Sequence, residues 1–278
     1  MFNNKVIIIT GGSSGLGKAL AQRFVKEGAH LALIARNVKK LESVKEELSA
    51  SCRDGQKIEI FSCDVSDYDS VEQTFTKIVK ILGAPDMLIN NAGILKEGRF
   101  EDLPLSTFRE TMDIDFFGVL NCTKAVLPLL KKKGDGRIVN IASLGGKMAS
   151  YGYAAYCSSK FALVGLTDTL RAELKPCHIK VYLVCPGEFD SPMVEELNTY
   201  RTAENRAVTQ TVPVLPLDVV ADKVLRGIRR NLYLIIPGFA GRLLEWGGRL
   251  APAISRFIVD YRIKKVMAKK DHNKKRGA

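Results

Sequence analysis

Seven short apolar runs, rich in β-branched residues, recur along most of the chain: KVIIIT (5–10), HLALIA (30–35), IEIFSC (58–63), DMLIN (86–90), RIVNIA (137–142), IKVYLVC (179–185) and LYLII (232–236). The stretches between them have helical spacing, with Leu20, Phe24 and Val25 after the first run and Val71, Phe75, Ile78 and Val79 before the fourth. Strands that are apolar throughout, alternating with helices, require a parallel sheet covered on both faces. Right-handed crossovers then give an α/β, doubly wound, seven-stranded parallel sheet. Its ligand crevice is expected beyond the carboxyl ends of the strands.

Composition agrees with a soluble globular chain: of 278 residues, 46% are hydrophobic and 26% charged. A chain of this size buries about 70–75% of its unfolded surface and needs no disulfide or metal staple. The six cysteines (Cys52, Cys63, Cys122, Cys157, Cys177, Cys185) show neither a Cys-x-x-Cys pair nor a zinc spacing with histidine. No metal site is expected, and a reducing, cytoplasmic compartment is. The first run begins too early for a secretory leader. The longest apolar stretch, LYLIIPGFAG (232–241), is shorter than the roughly 20 residues that span a bilayer.

The first run leads directly into Thr10-Gly11-Gly12-Ser13-Ser14-Gly15-Leu16-Gly17. At a strand-to-helix turn, glycines and the free N–H groups of the helix start form a site for a pyrophosphate. The fold is therefore read as Rossmann-type and dinucleotide-binding. The second run ends Ala35-Arg36-Asn37, with no acid to hold a ribose 2′-hydroxyl. The guanidinium of Arg36 suits a 2′-phosphate instead, favouring NADPH/NADP+ over NAD, unless Arg36 is merely a solvated charge. Tyr156 and Lys160 stand four residues apart, on one helical face. A neighbouring ammonium is expected to lower the tyrosine pKa and make it a usable acid or base for a carbonyl oxygen. Ser143, after the fifth run, can hydrogen-bond the same oxygen.

Taken in order, TGGSSGLG, Asp64-Val65, Asn90-Asn91-Ala92-Gly93, Ser143, Tyr156-Cys157-Ser158-Ser159-Lys160 and Pro186-Gly187 resemble the short-chain dehydrogenase/reductase family over residues 5–238. The resemblance implies catalytic Ser143, Tyr156 and Lys160, with Lys160 also on the nicotinamide ribose. It implies cofactor contacts from Gly11, Ser13, Ser14, Gly15, Leu16, Gly17, Arg36, Asp64, Val65, Asn91, Ala92, Gly93, Tyr156, Lys160, Pro186 and Gly187, and a homodimer or homotetramer. Where the family commonly has a relay asparagine, this chain has Asp115. Its carboxylate could take over the relay or bind Lys160 more tightly, or it could be an ordinary helix aspartate.

ARNVKKL (35–41), CDVSDYDSVE (63–72), PDMLINNAG (85–93), RFEDLPLSTF (99–108), AYCSSKFALVGL (155–166), ELKP (173–176) and Asp190-Ser191-Pro192 resemble the branch that reduces 3-ketodihydrosphingosine to dihydrosphingosine. A lipophilic ketone substrate follows, with steroid, retinoid and 3-ketoacyl ketones as alternatives, and a catalytically silent NADP(H)-binding protein as the non-enzyme alternative. The segment 188–216 matches the family's substrate lid, and its acids Glu188, Asp190, Glu195 and Glu196 could face a sphingoid ammonium.

The net charge of +12 is unevenly placed. Residues 242–278 hold 11 Lys+Arg and 3 acids, a net +8, which leaves +4 for the first 241 residues. The reading is a reductase domain over 1–238 and an amphipathic, basic extension over 239–278. Ile254, Phe257, Ile258 and Tyr261 form a stripe after Pro252, preceded by a cluster of Leu243, Leu244, Trp246 and Leu250. Such a helix suits peripheral contact with an anionic membrane. The alternative is packing on the domain or a second subunit, with the last ten residues a solvated tail. No nucleic-acid partner is expected, because the extension carries no recognition motif.

Overall fold

The computed structural model describes the backbone of residues 1–276 and the side chains of residues 1–269. Seven parallel strands, β1 (Val6–Thr10), β2 (His30–Ala35), β3 (Ile58–Ser62), β4 (Met87–Asn90), β5 (Gly136–Ile141), β6 (Ile179–Val184) and β7 (Leu234–Ile235), lie in the order β3-β2-β1-β4-β5-β6-β7. Residue alternation sends successive side chains to opposite faces. Ile7, Ile9, Leu31 and Leu33 pack on one face with Leu20 and Phe24 of α1 (Gly15–Lys26) and Val220 and Val224 of α9 (Leu217–Arg229). Ile8, Ala32 and Leu88 pack on the other with Val71, Phe75 and Ile78 of α3 (Tyr68–Leu82) and Val126 and Leu130 of α5 (Gly118–Lys133). The helix α2 (Val38–Ser49) follows β2 on the first face, through Leu41 and Val44.

The last strand is shorter than the run LYLII suggests. Asn231 turns the chain at a φ of 53°, and the Leu232 amide still bonds the end of α9 at Gly227 O, 3.0 Å away. Pro237 follows immediately, so only Leu234 and Ile235 pair with β6.

A buried polar ladder fixes the helix that carries Tyr156 and Lys160. The Asn90 amide donates to Asn140 Oδ1 (2.9 Å) and Thr123 Oγ1 (3.2 Å), and the Asn140 amide donates to Thr167 Oγ1 (3.0 Å). Asn90 and Asn140 lie on β4 and β5, Thr123 on α5, and Thr167 on α6 (Ala154–Leu174). In a low-dielectric interior an unmet polar group is costly, so these bonds define one seating of α6 on the sheet.

Beyond β6 the segment expected to be a lid folds into α7 (Pro192–Asn198) and α8 (Ala203–Thr209). Pro192 at the first helical turn and the Ser191 hydroxyl, which accepts from Val194 N, start α7. Arg201, with a fully buried side chain, clamps the lid. Its Nη1 and Nη2 donate to Glu188 Oε1 (2.9 Å) and Oε2 (2.6 Å), and its Nε donates to Asn205 Oδ1 (2.7 Å). Buried Glu97, from the loop after β4, accepts from the Thr202 hydroxyl (2.6 Å) and amide (3.2 Å), tying the lid to the sheet side.

Two helices follow, α10 (Phe239–Leu250) and α11 (Pro252–Arg276). Leu244 and Ala240 of α10 pack on Leu144, Val212 and Ile236, and α11 packs on α8, where Arg262 Nη1 donates to Ala207 O (3.1 Å). The stripe read from the sequence forms, but it faces outward: Ile254, Phe257, Ile258 and Tyr261 are all exposed. Packing of α11 on the rest of the chain uses the half-buried Ser255, Val259 and Arg262 instead. The tail expected over the last ten residues lies outside the described side chains except at Lys269, and residues 277–278 lie outside the described backbone.

The clamp predicts a large stability loss for Arg201→Leu. Removing one partner leaves a buried carboxylate unpaired, costing about 3–5 kcal/mol in urea unfolding. The double substitution Glu188→Leu/Arg201→Leu is expected to cost less than the single one; an equal or larger cost would contradict the pairing.

Candidate active site

Strand order reverses between β1 and β4, so the loops leaving these two strands diverge and open a crevice. Thr10, at the end of β1, pins its two sides. Its hydroxyl accepts from the amides of Asn91 (2.9 Å) and Ala92 (3.0 Å) and donates to Ile89 O (3.4 Å). The Asn91 side-chain amide returns to Thr10 O (3.1 Å) and Gly11 O (3.3 Å). Asn91 thus shapes the glycine turn as well as lining the crevice.

A single cleft of about 520 Å3 runs along the carboxyl ends of the strands. Gly11, Ser13, Ser14, Gly15, Leu16, Arg36, Asp64, Val65, Asn91, Ala92, Gly93, Ser143, Tyr156, Lys160, Pro186 and Gly187 all line it. Two residues singled out from the sequence do not. Gly17 sits beneath the turn, where a Cβ would lie 2.3 Å from Gly11 O, so its part is close packing of α1 under the loop. Asp115 is fully buried behind Lys160.

At one end of the cleft, Ser14 caps α1 in an extended conformation and makes no side-chain hydrogen bond to the helix, so its hydroxyl does not take up the first-turn amides. Arg36, Asn37 and Lys40 converge beyond it; Arg36 Nη1 stands 4.0 Å from Asp64 Oδ2 and is largely exposed. Lys40, missed in the sequence, owes its place to Asn37, whose Oδ1 accepts from Lys40 N (3.0 Å) and starts α2. This sequence of donors and cations fits a dinucleotide phosphate chain and a further phosphate beside the ribose.

At the middle of the cleft, α6 places Tyr156 and Lys160 together, with Lys160 Nζ 5.5 Å from the Tyr156 ring centroid. Asp115 comes from a π-helical turn, Asp113–Phe117, set between α4 (Leu105–Met112) and α5. The widened turn aims the carboxylate inward. Oδ2 lies 3.2 Å from Lys160 Nζ and 3.4 Å from the Ser159 hydroxyl, and Oδ1 accepts from Ile94 N (2.8 Å). Gly93 permits this approach, since a Cβ there would stand 3.0 Å from Asp115 Oδ1 and 3.4 Å from Lys160 Nζ.

Electrostatics at Tyr156 run opposite to the expectation that Lys160 lowers its pKa. Burial pushes the phenol above its ordinary value and the Asp115 charge adds to that, while a hydrogen bond with Ser143 opposes them. Burial is the larger cause, and Asp115, paired with Lys160, brings a negative charge beside the phenol. Burial likewise raises the Asp115 carboxyl, against the pull of Lys160, Ile94 N and Ser159. The arrangement holds a protonated phenol beside a serine hydroxyl, a pair of hydrogen-bond donors suited to one carbonyl oxygen.

The far end is apolar, lined by Leu144, Met148, Phe189, Val212, Leu244 and Val259. Glu188 borders it but is held by Arg201, and Glu196 pairs with Lys96 at 3.7 Å. The idea that the lid acids greet an ammonium therefore loses these two members. The clamp and the α10–α11 lining are not legible in the sequence, because each depends on residues apart along the chain, whereas Lys40 is placed locally by Asn37.

Comparison with known proteins agrees with this geometry. A family model described as short chain dehydrogenase matches residues 5–202. A 3-ketodihydrosphingosine reductase of Bos taurus is 38% identical over 79% of this chain and 67% of its own length. One from Dictyostelium discoideum is 38% identical over 83% of this chain and 74% of its own. Among solved structures, levodione reductase superposes with a TM-score of 0.79 at 28% identity, covering 87% of this chain and 98% of the reductase. The chain belongs to the short-chain dehydrogenase family and is an oxidoreductase that works with a nicotinamide dinucleotide.

Proposed function

We propose that this chain is an NADPH-dependent reductase of a lipophilic ketone, with 3-ketodihydrosphingosine as substrate and dihydrosphingosine as product. The observation that carries the reading is the junction of the Ser143, Tyr156 and Lys160 cluster with an apolar cleft end, in a chain similar to reductases named for that substrate. Residues 1–238 form the catalytic unit in this reading and 239–278 a cover over its substrate end. The enzyme works in the cytoplasm at a membrane surface and self-associates, in keeping with exposed Phe100, Leu105, Phe117 and Phe161 on and around α4 and α6.

When bound, a reduced nicotinamide supplies a hydride to the carbonyl carbon. The Tyr156 hydroxyl gives its proton to the carbonyl oxygen, and Ser143 holds that oxygen by a hydrogen bond. A raised pKa suits this direction, because the phenol stays protonated and the oxygen that gains charge is a stronger base than a phenolate. Lys160 orients the ribose, and Asp115 is a positioning residue that fixes Lys160. Arg36 and Lys40 bind the 2′-phosphate.

Tyr156→Phe is expected to lower kcat by about 10²–10⁴-fold with NADPH affinity unchanged. Near-normal turnover would remove Tyr156 as the proton donor. Arg36→Ser is expected to weaken NADPH binding by about 10–100-fold, the worth of a charged hydrogen bond, with little change for NADH. Wild-type protein that bound NADH as tightly as NADPH would overturn the cofactor assignment. In an NADPH-oxidation assay with 3-ketodihydrosphingosine, absent turnover beside a reduced steroid, retinoid or 3-ketoacyl ketone would reassign the substrate.

The Asp115 charge raises the Tyr156 pKa, so Asp115→Asn is expected to lower it. Reduction needs the protonated phenol and is lost as pH rises through its pKa, so the alkaline limb of the pH–rate profile shifts to lower pH. A limb that stayed in place or moved upward would contradict this role.

A further inference from the structure

The helix α10 is inside out. Phe239, Arg242, Leu243, Trp246, Arg249 and Leu250 recur at helical spacing on one side, and all are exposed, with Phe239 at 75%, Trp246 at 66% and Leu250 at 79%. Its inner side carries Gly241, Leu244, Glu245 and Gly248, and the two glycines let it lie close to Leu144, Ile236 and Met148. In α11 the exposed stripe continues the same chemistry, with Ile254 at 62%, Phe257 at 69% and Tyr261 at 59%. A soluble surface rarely leaves so many large apolar side chains on two packed helices uncovered. Arginines and lysines, Arg242, Arg249, Arg256, Lys264 and Lys265, stand among them.

The opposite sides of the two helices border the cleft. Leu244 from α10 and Ser255 and Val259 from α11 line its apolar end, and Ile258 of the exposed stripe reaches its rim. One pair of helices therefore has an aromatic, cationic outer face and an inner face toward the reacting centre.

The geometry points to α10 and α11 as a lipid portal: their outer face inserts into an anionic membrane interface, and a long-chain substrate passes between them and the lid into the cleft without crossing water. The occupant is a bilayer surface, because aromatic and aliphatic side chains interleaved with cations match the boundary between acyl chains and anionic headgroups. No helix among the described residues is long and apolar enough to cross a membrane, so the attachment is interfacial. The substrate class rests on the proposed ketone-reductase activity, whereas the docking does not.

The test uses the full-length chain and vesicles of phosphatidylcholine with or without phosphatidylserine. Wild type is expected to sediment with anionic vesicles, and Leu243→Ser/Trp246→Ser/Phe257→Ser to lose at least about tenfold in partitioning with unchanged thermal unfolding. Equal partitioning of the two proteins, or no binding by wild type, overturns the proposal. So does a change of oligomeric state in sedimentation velocity without a change in vesicle binding, which would assign the face to a second copy.

A second arm compares an eighteen-carbon keto base held in vesicles with an eight-carbon analogue free in solution. The triple variant is expected to lose about tenfold in kcat/KM on the former alone. Val259→Trp is expected to keep vesicle binding and lose turnover of the long chain selectively. Equal loss on both chain lengths, or loss on neither, overturns the portal. Failure of wild type on every ketone would remove the reductase reading, and vesicle binding would still decide the docking.

Discussion

Everything at the reacting centre hangs on the Thr10 hydroxyl. It sits where the strand order reverses and bonds three backbone groups of the β4 end at once. With that crosslink in place, the Asn91 amide can reach back to the glycine turn, and Gly93 comes to lie against Asp115 and Lys160. A buried hydroxyl that both donates and accepts fixes the relative height of two loops far better than apolar contact could, because hydrogen-bond energy falls steeply with geometry. The glycine turn and Lys160 are thus registered to each other by one side chain.

The pair of Lys160 and Asp115 extends that order into electrostatics. Lys160 is 5% exposed, and its Nζ lies 3.2 Å from a carboxylate oxygen of fully buried Asp115. Burial raises the Tyr156 pKa, and the negative charge of Asp115 adds to that rise. The site therefore trades an easily ionised phenol for a reliably protonated one.

The fold was legible in the sequence because its signals are local. Runs of continuous β-rich residues, a glycine turn after the first of them and the four-residue step from Tyr156 to Lys160 each lie within a few positions. The π turn at Asp113–Phe117 was not legible: the segment DIDFF carries no breaker, and its extra residue per turn is imposed by contacts to Ile94 and Lys160 from other elements. The same holds for Glu188 and Arg201, thirteen residues apart and brought together across α7. Asp115 stands out in the sequence as a departure from the family pattern, but its pairing with Lys160 and its effect on Tyr156 depend on how separate elements pack.

Amphipathic patterning gave the helices at the end of the chain and left their facing open between a membrane surface and packing on the domain or a second subunit. A periodic apolar stripe is ordinarily read as the buried side, since burial of a large side chain contributes about 1.5–3 kcal/mol. Here the cleft and the lid already occupy the space beneath α10, and only residues such as Leu244, Gly241 and Gly248 fit there. Phe239, Leu243, Trp246, Leu250, Ile254 and Phe257 are left outside, holding back on the order of 10 kcal/mol of burial. A surface of that kind next to a net charge of +8 in residues 242–278 is stable in water only at a cost that an anionic lipid interface removes. The basic excess and the outward apolar stripe are therefore one feature of a helix pair whose inner side lines an apolar cleft.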